Sequence, residues 1–367
     1  MIISRIRSLA MLHAPKVGYM HAKTQFDNVG DALIVGQAVA LMSEHMNVVL
    51  SAKGIPAHFS KQIRESTKAP YSELDSGKAE IFLALALRRM HGLRSYYSLI
   101  PGGINGEKSK GSYLSGTVYN LALQLMALLG IVTVQMGVSY DKLGVRHQKL
   151  LRGRARALSY HFVRDSQTDE YCRERGIKHS GVAPDLAFVM FPDTSKKSSG
   201  SRVAFSFRTD RGGRPLIEKI GEMINASFAV DTQIVLVSQV ARDTPGMLEL
   251  QELLMSLGFK CDFEDVTDSL NAASKVYSTC SLIYSNRLHA LLLAASNGAA
   301  PCPVISAQVD RKISGIFLDV GDCISIELDS WNGTPLPRPG LEYAQAFQKS
   351  ALMMKNKVKD VTREIFH

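Results

Sequence analysis

The sequence predicts an α/β protein built of two Rossmann-like, parallel-sheet domains that face a common cleft, and three observations carry this. Short apolar segments alternate with helix-length amphipathic segments along the whole chain, the pattern of parallel strands joined by helical crossovers. The chain has 367 residues, about twice an ordinary domain. One stretch, FPDTSKKSSGS at 191–201, is rich in Ser with Pro and Gly and almost free of apolar residues, which is the composition of a linker.

The elements follow in order. In the first half, strands are expected at 97–100, 131–135, 161–164 and 186–189, and helices at 31–46, 113–129 and 146–158. The uncharged stretch 111–140 could span a bilayer on length alone. Asn120, Gln124 and Gln135 interrupt it, however, and Gly130 divides a Leu/Ala-rich half, suited to helix, from Ile-Val-Thr-Val, suited to strand. After the linker, strands are expected at 202–207, 233–238, 282–284 and 304–306. A helix at 344–365 follows the Pro-rich TPLPRPG and is expected to pack back on the first domain. The division is therefore an N-terminal α/β domain at 1–190, the linker at 191–201, a C-terminal α/β domain at 202–335 and a helical tail at 336–367.

Composition bounds the function. At 46% hydrophobic and 21% charged residues, disordered, collagen-like and coiled-coil chains are excluded. Lys and Arg outnumber Asp and Glu by 43 to 34, a formal net charge of +9, which points to an anionic partner: nucleic acid, an anionic membrane face or a phosphorylated small molecule. With one Trp and no Lys/Arg run interleaved with aromatics, nucleic acid is not expected. The five cysteines are widely spaced, odd in number and without a CxxC pair, so neither a disulfide framework nor a zinc site is indicated and a reducing compartment is expected. The opening MIISRIRSLAMLH has an apolar run too short for a secretory signal and reads as a cytoplasmic start.

In two facing parallel-sheet domains, ligands bind where strands end and helices begin, so the polar residues just after strands are the candidates. Asn28, Gly30 and Asp31 open the first helix, either as an anion or hydroxyl site on backbone N–H groups or as an ordinary cap. Gly102 and Gly103 follow a strand in PGGING, a turn that admits close backbone approach but matches no nucleotide-binding fingerprint. Arg164 ends a strand beside Asp165, offering its guanidinium to a carboxylate or phosphate or pairing with a neighbouring acid. Arg287 and His289 flank Leu288 at a helix start in SNRLHA, an arrangement suited to a general acid beside a bound anion. Arg208 and Lys312 follow two further strands. The bases Arg146, Lys149, Arg152, Arg154 and Arg156, with His147, have the spacing of a solvated helix face, or of one that meets lipid headgroups.

Taken together, NVGDALI, PGG, FVRDSQT, APDLAF and SNRLHALLLAASNGAAPCPVIS, in this order over 26–319, resemble the polysaccharide pyruvyl transferase family. The resemblance implies a glycosyltransferase-B-like fold with neither metal nor redox cofactor. It implies transfer of a pyruvyl unit from phosphoenolpyruvate, as co-substrate, to two hydroxyls of a sugar, forming a cyclic ketal in polysaccharide or cell-surface glycan synthesis. His289 would be the general acid, Arg287 and Arg164 would hold the donor's charged groups with Arg208 and Lys312 beside them, and Asn28, Gly30, Asp31, Gly102 and Gly103 would face the acceptor. Because phosphoenolpyruvate is cytosolic, a cytoplasmic enzyme is expected, with transient contact to a lipid-linked saccharide at the inner leaflet. Two other readings compete: a sugar-nucleotide glycosyltransferase of the same architecture, and a catalytically silent protein that binds an anionic glycan.

Overall fold

The structure is a computed structural model that describes residues 14–196, 198, 200–306, 309–321 and 323–367. The reading of the opening segment as a cytoplasmic start falls on residues 1–13, outside the described residues.

Two parallel sheets organise the chain. The first is 8-stranded: β1 (Lys16–His21), β2 (Asn47–Ser51), β3 (Ser72–Leu74), β4 (Arg94–Ser98), β5 (Gly102–Gly106), β6 (Val132–Leu143), β7 (Tyr160–Val163) and β8 (Gly181–Val182). They run in the order β3-β2-β1-β4-β6-β7-β8, with β5 paired to β6 beyond the end of β4. Between them lie α1 (Val29–Ser43), α2 (Ala57–Ser66), α3 (Lys78–Met90), α4 (Lys110–Leu128), α5 (Val145–Ala157) and α6 (Ser166–Glu174). The second sheet is 6-stranded, with β9 (Arg202–Ser206), β10 (Ile234–Ser238), β11 (Cys261–Asp265), β12 (Cys280–Ser285), β13 (Ala300–Ile305) and β14 (Ile326–Glu327) in the order β11-β10-β9-β12-β13-β14. Its helices are α7 (Gly213–Ser227), α8 (Thr244–Ser256), α9 (Leu270–Ser278), α10 (Leu288–Ser296) and α11 (Arg311–Val320), and α12 (Leu341–Phe366) closes the chain.

Helices cover these sheets, which is why strands such as β10, IVLVS, are apolar and buried along their length rather than alternating. In each sheet the chain starts centrally, builds outward, then returns to the other side of its first strand. The two reversals fall between β1 and β4 and between β9 and β12, so a crevice opens at the carboxyl ends of these strands.

The last helix spans both halves. Phe347 packs on Phe191 and on Phe317, Lys355 Nζ donates to Phe191 O at 2.7 Å, and Phe366 meets the edge of Tyr96 in β4 at 5.4 Å. The tail thus returns to the first sheet, where Lys16 Nζ donates to Phe366 O.

Several elements depart from the sequence-based expectation. Residues 186–190 form a 3-10 helix, not a strand, because Asp185 Oδ1 accepts the Ala187 N–H at 2.9 Å and turns the chain. The strand expected at 131–135 continues to Leu143, passing Gly137 in the left-handed region at φ +65° with a shift of register against β7. The glycines at 102 and 103 open strand β5 rather than a free loop. The face of α5 is not simply solvated: His147 is buried, with Nδ1 2.9 Å from Gly106 O, and Arg154 leans over the Tyr119 ring toward the crevice. Packing against α4, through Asn120 Nδ2 to Leu150 O at 2.8 Å, turns that side inward.

Candidate functional site

The crevice between the sheets is a cleft of about 1260 Å³. Among the described residues ten Lys and Arg side chains line it against three carboxylates, Asp31, Asp141 and Asp310, so its field favours anions.

His289, one residue into α10, sits where the two halves touch. Nε2 lies 3.6 Å from Asp185 Oδ1, and the ring rests on Gly30 of α1. A methyl group on Gly30 would fall 2.7 Å from His289 Cγ and 2.8 Å from its Cβ, and closer still to Nδ1. Only a glycine lets the start of α1 approach this closely. Gly30 therefore supports the imidazole from beneath. Its neighbours hold the same turn: Asn28 caps α1 by accepting the Gly30 N–H at 3.0 Å and donates from Nδ2 to Asp31 Oδ1 at 2.9 Å, while Thr24 donates to Asp31 Oδ2 at 2.7 Å. Burial raises the pKa of the Asp31 carboxyl, against the lowering pull of the Thr24 bond and of His289. An isolated antiparallel bridge from Asn28 to Val240 ties this turn to the second half.

Asp185 joins the two sides. It is 1% exposed and accepts from Arg164 Nη1 at 3.0 Å. Burial alone would raise its pKa, but His289 and Arg164 outweigh burial and bring it to about 2. Arg164, at the end of β7, is 4% exposed, with Nε 3.4 Å from Asp165 Oδ2, so both of its nearest acids hold it at the cleft wall.

The arginines of the second half are likewise backed by acids. Arg287 Nη2 donates to Asp243 Oδ2 and lies 3.9 Å from Asp210 Oδ1. Burial pushes the Asp243 carboxyl up and the Arg287 guanidinium down, each toward its neutral form, and their mutual attraction opposes this. Arg208 grips Asp210 with two bonds, Nε at 2.6 Å and Nη2 at 3.0 Å, and Asn286 Oδ1 accepts the Arg208 N–H at 2.6 Å. Lys312, at the start of α11, has no hydrogen bond or ion pair within the described residues. Burial, then the nearby Arg164, lowers its pKa to about 8. Gly103 makes room for it, since a methyl there would fall 2.8 Å from Lys312 Cε.

All ten sequence-predicted site residues belong to this region. Asn28, Asp31, Gly102, Gly103, Arg164, Arg208, Arg287, His289 and Lys312 line the cleft, and Gly30 lies under His289. The acids that back the bases, Asp185, Asp210 and Asp243, were not singled out. APDLAF displayed Asp185, but its partner Arg164 is 21 residues away, a pairing only the strand order creates. Among the described residues no group of three His, Cys, Asp or Glu side chains could hold a metal ion, and no helix is long and apolar enough to cross a membrane.

The family model described as polysaccharide pyruvyl transferase matches residues 28–306. No curated protein matches the chain. Among solved structures, a UDP-GlcNAc 2-epimerase from Neisseria meningitidis bound to UDP-GlcNAc is similar at TM-score 0.51 and 11% identity, over 95% of this chain and 98% of that one. A glycosyltransferase from Rickettsia africae is similar at TM-score 0.49 and 10% identity, over 96% and 93%. At 11% identity the first of these carries the fold alone, which is glycosyltransferase-B-like.

Proposed function

Because the chain belongs to the polysaccharide pyruvyl transferase family, a family of transferases, we propose that it transfers the pyruvyl unit of phosphoenolpyruvate to two hydroxyls of a sugar in the cytoplasm, as a ketal. The observation that carries this is the His289 constellation: an imidazole backed by a buried carboxylate, seated on Gly30, in a cleft where bases outnumber acids. Phosphoenolpyruvate brings a phosphate and a carboxylate, and Arg208, Arg287, Arg164 and Lys312 offer donors for both.

The chemistry then assigns a role to each group. With Asp185 behind it, the imidazole of His289 is the group placed to carry a proton to the donor's methylene carbon. That proton turns the enol carbon into an oxocarbenium-like centre, and Asp185 stabilises the imidazolium before transfer. A sugar hydroxyl adds to the centre and gives its proton to Asp31, whose raised pKa suits a base. The C–O bond to phosphate then breaks, the second hydroxyl closes the ring and gives its proton to the departing phosphate, and the proton held by Asp31 returns through solvent to His289, so one donor and one diol give one ketal and one phosphate. No metal or redox cofactor enters this balance. A lipid-linked oligosaccharide is the proposed acceptor.

Ligand-dependent melting tests the reading. Phosphoenolpyruvate should raise the melting temperature, because a ligand that binds only the folded chain stabilises it, and Arg287→Ala should abolish that rise. Stabilisation by UDP- or GDP-sugars instead, with none from phosphoenolpyruvate, would overturn it in favour of a glycosyltransferase.

A further inference from the structure

Helix α4 presents an apolar stripe that nothing in the described chain covers. Leu114, Val118, Leu121, Leu125 and Leu128 recur every three or four residues, so on a helix of 3.6 residues per turn they form one line. Each is between 58% and 86% exposed. The opposite side, with Asn120, Leu123 and Met126, is buried. A row of five such side chains is more than the scattered apolar exposure of ordinary surfaces.

The charge around the stripe is predominantly basic. From Lys108 to Tyr160 the sequence holds eight bases and one acid, Asp141, and Asp141 lines the cleft. Arg146, Lys149 and Arg156 are exposed on α5, which packs along α4. Arg146 Nη1 donates to Lys108 O at 2.8 Å, just before α4 begins, and at the far end Arg89 Nε donates to Leu129 O at 2.9 Å. The carboxylate at the near end, Glu107, is engaged by the backbone N–H groups of Lys108, Arg146 and His147.

We propose that this face seats the protein on an anionic lipid surface, with the leucines at the boundary of headgroups and acyl chains and the bases on the headgroups. A second copy fits less well, because a symmetric contact through the stripe would bring two basic rims together. The geometry has a use. Ser112, Ser115, Gly116 and Tyr119 of α4 line the cleft and Val118 belongs to both stripe and cleft wall, so the cleft mouth would open at the membrane surface, where a lipid-linked acceptor resides. Only that last consequence rests on the function proposed above; lipid binding does not.

Co-sedimentation of the full chain with vesicles tests it. Binding is expected to phosphatidylcholine vesicles containing about a third phosphatidylglycerol, falling steeply with salt, and not to pure phosphatidylcholine. The pair Leu121→Glu and Leu125→Glu, outside the cleft, should lower partitioning about tenfold or more while leaving the melting temperature and its response to phosphoenolpyruvate in solution unchanged. Arg146→Ala with Lys149→Ala should lower it by a similar factor. No binding, or equal binding to both vesicle types, would overturn the proposal. So would light scattering that finds a dimer dispersed by the leucine variants, which would assign the stripe to a second copy.

Discussion

Gly30→Ala puts a single methyl group between α1 and the imidazole of His289. The backbone tolerates it: Gly30 is helical and absent from the glycines with positive φ, and alanine favours a helix by about 1 kcal/mol over glycine. The strain therefore falls on the contact. The methyl carbon would lie 2.7 Å from His289 Cγ and nearer still to Nδ1, whereas carbon atoms rest about 3.5 Å apart or more, so the ring must retreat by at least about 0.8 Å. A displacement of that order at a reacting group costs about a hundredfold in rate. The assay is phosphate release from phosphoenolpyruvate, with an acceptor-containing membrane extract, for wild type, Gly30→Ala, His289→Ala and the double variant. The expected result is a kcat about a hundredfold lower for Gly30→Ala at an undiminished melting temperature, and no further loss when the change is added to His289→Ala. Wild-type turnover in Gly30→Ala, or an equal additional loss in the double variant, would refute the claim that Gly30 acts through His289.

Two further outcomes follow from the buried charges. Asp185→Asn removes the carboxylate facing His289 and one of the two acids beside Arg164; the drop of the Asp185 pKa from 3.8 to about 2 corresponds to about 2 kcal/mol. Since the folded-state value is the lower one, this stability is present above pH 4 and is lost as pH falls toward 2. With the buried guanidinium left to Asp165 alone, the total loss at pH 7 should reach about 2–4 kcal/mol in urea denaturation, and a loss below 1 kcal/mol would be too small for this pairing. Lys312 has the opposite sign of effect: its folded pKa, about 8, lies below 10.5, so the unfolded chain holds the extra proton between those values and stability rises with pH across that window. Lys312→Met should therefore raise the melting temperature of the free protein near pH 7 while weakening donor binding, and should remove the loss of donor affinity expected in the wild type above pH 8.

Much of this arrangement was legible in the sequence and the remainder has physical reasons for being hidden. Arg164, Arg208, Arg287 and Lys312 could be read because each follows an apolar strand, and a parallel sheet delivers such residues to one edge. β2 was concealed because Met46 and the apolar NVVLS extend the hydrophobic run of α1, so the helix was expected to reach residue 46 although it ends at Ser43. Pro301 and Pro303 stand within β13, which shortened the strand expected there to 304–306. The run after Asp185 was too short for periodicity to separate strand from buried helix. The role of Gly30 was hidden differently, since it depends on a side chain 259 positions later in the sequence.

The placement of the acids explains how so many arginines can crowd one cleft and still serve an anion. Asp185, Asp210 and Asp243 pair with Arg164, Arg208 and Arg287, yet none of the three acids lines the cleft while all three arginines do. The carboxylates thus stand behind the guanidinium groups. A guanidinium has five N–H donors in a rigid fork, and the acids beside Arg164, Arg208 and Arg287 engage only some of them. The pairing fixes the fork and limits the mutual repulsion that would otherwise destabilise the fold. A lysine offers no such fork, because its charge is a point on a flexible stem. Lys312, which has no hydrogen bond or ion pair among the described residues, has its pKa lowered to about 8. If the proposed function holds, binding a dianion would restore the proton affinity of Lys312, and donor binding would weaken as pH rises past about 8.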